Sequence, residues 1–183
     1  MLTKCEKLRK ERGNEQTINI RKAGQSVGGK IKNMKIIIDS REKKCDHIKA
    51  WCDKNGIEYE VKKLDVGDYQ IDGQTAISVD RKRNLQELSR NLMNRKDHSR
   101  FWKEIRRAKE QKTKLIILVE HGGKIKSIQD VASWTDKYSG VSGRHLMEEI
   151  YRVHISYGVE FMFCDKRRTA RKIIEILSQV KED

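Results

Sequence analysis

"VGDYQIDGQTAISVDRKRN", residues 66–84, decides how the chain folds. Two alternating runs flank Asp72-Gly73, the pattern of a β-hairpin. Successive side chains on a strand point to opposite faces. Tyr69, Ile71, Ile77 and Val79 are therefore expected inward. Asp68, Gln70 and Asp72 take the other face, as do Ala76, Ser78, Asp80 and Lys82. A three-residue loop over 73–75 keeps the apolar sets together and sets Asp68 directly opposite Asp80. Two opposed carboxylates repel each other unless a cation sits between them. Lys82 relieves part of that repulsion. A hard divalent ion relieves more, since Mg²⁺ is held by one or two carboxylates plus waters and substrate phosphate. Such a site can activate a water and stabilise charge on a phosphoryl group. A surface salt bridge between Lys82 and the two acids is the alternative at this point.

Outward from the hairpin, the punctuation is regular. "MKIIID" and "KLIILVE" are apolar runs of the kind that form strands buried on both faces, and "IEYEVKKL" and "VEFMFC" read as further strands. "CDHIKAWCDKNG" reads as a helix with Ile48, Trp51 and Cys52 on one face and Gly56 as its stop. Leu85, Leu88 and Leu92 space a second helix, and Phe101, Ile105 and Ala108 a third. A short helix is expected over 128–134. Leu146, Ile150, Val153 and Tyr157 stripe a longer one, and Asp165 caps the last. Helices between strands imply parallel pairing, and the hairpin adds antiparallel pairing. The fold class is α/β, a mixed central sheet flanked by helices, over residues 34–183. Residues 1–33 are charge-dense, then Gly- and Lys-rich, and read as a basic, flexible extension. Met34 is a candidate second start.

The chain has 183 residues and a net charge of +14, with 41 Lys and Arg. That excess favours a polyanionic partner, nucleic acid before an anionic membrane surface. The longest apolar run, "LIILV", is strand-sized, and no signal core opens the chain. The four cysteines form no CxxC pair and no zinc spacing with the histidines, so reduced thiols are expected. "GQSVGGK", residues 24–30, has the glycines and lysine of a phosphate loop. Ile31 stands where Ser or Thr should follow and no buried strand precedes it, so no nucleotide cofactor is expected. Arg90, Arg95, Lys96, Arg100, Lys103, Arg106, Arg107 and Lys109 form a basic run after the hairpin, suited to a DNA backbone or to an ordinary solvated helix face. Trp134, Tyr138 and Arg144 offer stacking and phosphate contact further on, with Trp134 expected in the core.

"GDY" followed by "VDRKRNLQEL" resembles the XPF-type structure-specific nuclease domain, whose signature is GD, a gap, ERK and a nearby acid. "IIIDSRE" is similar to that family's strand ending in D-x-R-E. "LIILVE" and "GVEFMFCDK" extend the likeness over about residues 34–180. The resemblance implies a restriction-endonuclease-like fold of the PD-(D/E)xK superfamily. Carried over, Asp68 and Asp80 are metal ligands for Mg²⁺ or Mn²⁺, with the Arg81 carbonyl as a further ligand and Asp39 beside them, directly or through water. Lys82 positions the attacking water. Arg41 and Arg81 contact phosphate or brace the carboxylates, and Glu42 supports the site. Asp80 replaces the usual Glu. Glu87 falls one position beyond the commonest spacing, with Gln86 in the expected place, so Glu87 is left open between site and exposed helix.

The implied activity is metal-dependent hydrolysis of a DNA phosphodiester at branched, flapped or forked DNA. Arg83, Arg90, Arg95, Lys96, Arg100 and Arg144 are the expected DNA contacts. A non-catalytic DNA-binding or scaffolding module is the second reading, and an RNA-processing nuclease the third. Relatives carry a helix-hairpin-helix module that aids DNA binding and dimerisation, for which no room is expected before Asp183. A homodimer stays open. A cytoplasmic location is expected, or a nuclear one in a eukaryote, and a stand-alone domain would suit a phage or prophage gene.

Overall fold

The computed structural model describes residues 34–93, 95–136 and 140–179, with the backbone alone at 95–98. The expected extension 1–33, its phosphate-loop-like motif and Tyr138 lie outside the described residues. Among the described residues, six strands form one sheet: β1 (Lys35–Asp39), β2 (Glu58–Lys62), β3 (Tyr69–Ile71), β4 (Gln74–Lys82), β5 (Lys114–Glu120) and β6 (Glu160–Cys164). The order is β2-β1-β3-β4-β5-β6. Only β3 runs against its neighbours; β1–β2, β4–β5 and β5–β6 pair in parallel. The mixed α/β sheet expected from the element order is therefore present, with β4 in its interior.

Helices cover both faces, as a largely parallel sheet requires. The five α-helices among the described residues are α1 (Asp46–Asn55), α2 (Leu85–Met93), α3 (Arg95–Glu110), α4 (Gly143–Tyr157) and α5 (Thr169–Leu177). Leu115, Ile117 and Val119 of β5 join Leu85, Leu88, Phe101, Ile105, Leu146 and Ile150 in one cluster, so α2, α3 and α4 share a face. The alternate residues Ile116 and Leu118 are equally buried on the other face, where α1 and α5 pack against each other. Gly56 stops α1 in the left-handed region, with φ 65°.

Several details differ from the sequence expectation. The helix expected over 128–134 is a 3-10 turn, Gln129–Ser133. Asp165 caps a 3-10 turn at Lys166–Arg168, and α5 begins only at Thr169. Trp51 is half-buried, as is Trp134, which packs against the core. Tyr157 is partly exposed; its ring meets Trp102 edge-on at 4.7 Å. Ile71 and Ile77 are half-exposed, because they sit near the hairpin tip where the neighbouring β5 only begins, at Lys114 beside Ile77.

The hairpin reaches its expected register by a different route. Ile71 pairs with Gln74, which leaves Asp72-Gly73 as a two-residue turn with Gly73 at φ 75°. Gly73 supplies the left-handed position that closes this turn. A bulge then shifts the register, so that Tyr69 pairs with Val79. Asp68, just before β3, donates its amide to the Val79 carbonyl at 2.8 Å, which brings it alongside the Asp80 end of β4. Ser78 fills the bulge, its hydroxyl donating to the Val66 carbonyl at 2.7 Å. Gly67, next to Asp68, has φ 69°, and a Cβ there would lie 2.1 Å from Ser78 Oγ and 3.0 Å from the Val79 carbonyl. Gly67→Ala is expected to destabilise the fold by about 2–5 kcal/mol, the sum of left-handed strain and overpacking. Urea unfolding checks this; a loss below about 0.5 kcal/mol, the range of an ordinary surface change, contradicts it.

Candidate active site

The last three residues of β4 divide between the two faces of the sheet. Asp80 and Lys82 point toward α3, and Arg81 points toward α1. Asp80 is 2% exposed and Lys82 is 8% exposed. This burial rules out the surface salt bridge left open by the sequence. Lys82 Nζ donates to Asp80 Oδ1 at 2.8 Å and lies 2.7 Å from Oδ2. The second distance is short, but the oxygen receives no directed hydrogen bond. The ammonium also sits 5.5 Å from the centre of the Phe101 ring, a favourable cation–π placement.

Asp68 lies in the same cleft, with Oδ2 accepting from the Arg81 amide at 2.8 Å. Burial and the nearby Asp80 charge push its carboxyl well above the usual range. Burial alone would lower Lys82, but Asp80 and Asp68 outweigh it and hold the ammonium protonated. Lys82 is thus bonded to Asp80 and feels the charge of both acids. Among the described residues, no group of three or more His, Cys, Asp or Glu is placed to hold a metal. The donor set nevertheless fits a hard divalent ion, which needs only one or two protein carboxylates. The undirected, buried Asp80 Oδ2 is the atom such an ion would satisfy.

Asp39 is placed differently from the expected ligand. It is buried, and its two oxygens accept from the Arg41 amide at 2.7 Å, Arg41 Nε at 2.8 Å, Arg41 Nη2 at 2.6 Å and the Leu64 amide at 2.9 Å. Burial pushes its carboxyl up, but these donors outweigh it and hold it low. Its role in this geometry is to clasp the segment leading to Asp68, whose carbonyl accepts from the Asp39 amide at 2.8 Å. Arg41 lines the cleft and also donates to the Leu64 carbonyl at 2.6 Å.

Arg81 braces acids on the opposite face. Its guanidinium donates to Glu120 at 2.9 Å, Glu42 at 2.8 Å and the Lys44 carbonyl at 2.9 Å. At 1% side-chain exposure it is sealed from a phosphate. Glu42 supports the site through Arg81. His47 completes the group, 3.3 Å from Glu120. Glu120 and His47 were not foreseen; the signal was an acid closing the otherwise apolar run "LIILVE".

Glu87 does line the cleft. Its carboxylate accepts from the Arg83 amide and Arg83 Nε, both at 3.0 Å, while Asn84 accepts from the Glu87 amide at 2.8 Å. This is a helix-start arrangement akin to a capping box, and it holds Arg83 at the rim. Arg90 and Arg100 line the cleft, joined by Lys103 and Arg107. Arg144 is exposed at the start of α4 and does not line it. The side chains of Arg95 and Lys96 lie outside the described residues.

Glu104 is the cleft acid that the sequence reading missed. It accepts from the Gly67 amide at 2.7 Å. Its position gave a signal: it lies three residues beyond Phe101 and one before Ile105, on the border of α3's buried stripe. Burial and the Asp80 charge raise its carboxyl from an ordinary 4.5 to about 7.

Two outcomes follow from this geometry. Removing Arg81 strands the buried Glu120 and the half-buried Glu42, so Arg81→Ala is expected to cost about 3–5 kcal/mol in urea unfolding; a loss below about 0.5 kcal/mol, as at an ordinary surface site, contradicts the brace. For Glu104, the folded state holds a proton between about pH 4.5 and 7 that the unfolded state releases. Its contribution to metal-free stability therefore falls as pH rises through that window. Thermal unfolding should show Glu104→Gln gaining stability relative to wild type from pH 4.5 to 7; a pH-independent difference contradicts this.

The ERCC4 domain family matches residues 38–177. XPF from Aeropyrum pernix superposes with a TM-score of 0.59 at 22% identity, covering 78% of this chain and 63% of that one. The same protein in complex with DNA gives a TM-score of 0.60 at 21% identity, covering 79% and 64%. This chain thus spans less than two thirds of either structure, and the likeness is one of fold. No curated protein sequence matches the chain. A family match over more than half the chain agrees with the sheet, the flanking helices and the hairpin cleft: the chain belongs to the ERCC4 domain family, as an XPF-type nuclease domain.

Proposed function

We propose that this domain is a divalent-metal-dependent DNA endonuclease that hydrolyses a phosphodiester at branched, flapped or forked DNA. One observation carries the reading: the half-buried Asp68 and the buried Asp80 lie in one cleft with Lys82, which is bonded to Asp80, and Arg41, Arg90, Arg100, Lys103 and Arg107 line the same cleft. The DNA complex of XPF from Aeropyrum pernix supports the choice of polymer. Family membership supports the reaction class.

Arg90, Arg100, Lys103 and Arg107 would neutralise phosphates and bring the strand across the cleft. Asp68 and Asp80 would hold Mg²⁺ or Mn²⁺. When bound, that ion would polarise the scissile phosphate and acidify a water. Lys82, kept protonated by the acids, would orient the water and offset charge developing on the phosphate. Phe101 covers the lysine from the apolar side and limits water there. Asp39 and Arg41 would act by holding the Asp68 segment. The same reading carries the open homodimer and the cytoplasmic or nuclear setting as parts of the proposal.

Cleavage of flap, fork and linear duplex DNA with Mg²⁺ or Mn²⁺ tests it. Wild type should cut only with metal and cut branched DNA faster than linear duplex. Asp80→Ala and Lys82→Ala should each lose about 100-fold or more in rate, while DNA binding in EDTA persists as the check on folding. Binding without metal-dependent cutting of any substrate sinks the nuclease reading and leaves a DNA-binding module. Preference for RNA in the same assay sinks the choice of DNA.

A further inference from the structure

The segment that presents Asp68 is held from two sides. On one side, Asp39 accepts from the Leu64 amide at 2.9 Å and Arg41 Nη2 donates to the Leu64 carbonyl at 2.6 Å. On the other side is α3. Arg107 Nε donates to the Asp65 carbonyl at 2.9 Å, and Glu104 accepts from the Gly67 amide at 2.7 Å. Glu104 and Arg107 are three residues apart on a helix, so they project from the same face about one turn apart. One acceptor and one donor thus grip the two ends of the turn that immediately precedes Asp68.

The turn needs such a grip. Gly67 is held at φ 69°, a conformation to which glycine brings no side-chain contacts and much backbone freedom. The Asp68 carboxylate itself accepts from the Arg81 amide at 2.8 Å, a contact to the far strand that does not fix the turn before it. The helix that grips the turn also supplies Arg100 and Lys103 to the cleft wall and Phe101 to Lys82. Its placement therefore sets the acid, the lysine and the cationic wall together.

We propose that Glu104 and Arg107 are positioning residues that fix the Asp65–Gly67 turn and thereby aim the Asp68 carboxylate at the bound cation. The proposal rests on the nuclease reading for the identity of that cation. Glu104 acts here as a hydrogen-bond acceptor, which a glutamine oxygen can replace. A direct cation ligand would act through its charge, which glutamine cannot supply.

The test uses the full chain without DNA. Mn²⁺ affinity is measured by calorimetry, and the Gly67 amide is followed by NMR hydrogen exchange. Glu104→Ala should expose the Gly67 amide to exchange and weaken Mn²⁺ binding about tenfold or more, with DNA affinity in EDTA unchanged. Glu104→Gln should restore both properties toward wild type. Arg107→Ala, which loses the Asp65 contact, should also weaken Mn²⁺ binding, against the direction expected from removing one cation from the cleft wall, and it carries the test should Glu104→Ala fail to fold. Wild-type Mn²⁺ affinity in Glu104→Ala or Arg107→Ala overturns the proposal. So does a glutamine variant as weak as alanine, which would make Glu104 a ligand. Should wild type bind no Mn²⁺, the nuclease reading fails and the aim at a cation fails with it, while a Gly67 amide that still responds to Glu104→Ala shows that the grip itself is intact.

Discussion

The placement of two carboxylates in one cleft, with Lys82 bonded to Asp80, is the constraint on which the rest of this structure turns. Asp80 is almost sealed from water and Asp68 is pushed far above its usual ionisation range. Replacing such a set by apolar residues of similar volume is often neutral or stabilising. The arrangement therefore makes sense as a device for function, and it demands a stiff frame. The bulge in β4 pairs Tyr69 with Val79 and so brings the Asp68 segment alongside Asp80. Gly67 lets the backbone pass Ser78 and the Val79 carbonyl closely enough to present Asp68. Asp39 and Arg41 pin that segment from β1, and Glu104 and Arg107 pin it from α3.

The frame and the site share one strand. Asp80, Arg81 and Lys82 are consecutive, and the pleat sends their side chains alternately to the two faces. Arg81 ties β4 to Glu42 and Glu120 on the face that carries α1 and α5. Its own backbone amide meanwhile holds Asp68 on the other side. One residue thereby links the stability of the sheet to the geometry of the carboxylates. β4 can take this load because it lies inside the sheet, between β3 and β5, with a ladder on each side.

Much of this was legible in the sequence, for physical reasons that can be named. The hairpin showed in its alternation and its Asp-Gly turn, and the strands β1 and β5 in their unbroken apolar runs. Leu85, Leu88, Leu92, Phe101, Ile105 and Ala108 fell where the helical period placed them. The pairing of Tyr69 with Val79 was read through the wrong loop, because a bulge has no periodic signature and a two-residue turn plus a bulge ends in the same register there. Asp39 looked like a ligand by its position at the end of a strand. Its commitment to Arg41 and Leu64 depends on a contact twenty-five residues away, which local pattern does not carry. Glu104 lay hidden in a charged helix, where an acid at the border of the apolar stripe reads as solvated until the opposing turn is in place. Arg144 looked suitable by type, but the chain puts it at the start of α4, away from the cleft lining.

The most direct measurement is anomalous diffraction from crystals of the wild-type chain grown with Mn²⁺. The account predicts an anomalous peak bound by the carboxylates of Asp68 and Asp80, lost in Asp80→Ala crystals grown the same way. A peak held elsewhere, or carboxylates that bind no ion at saturating Mn²⁺, would contradict the claim that this carboxylate pair is built around a cation.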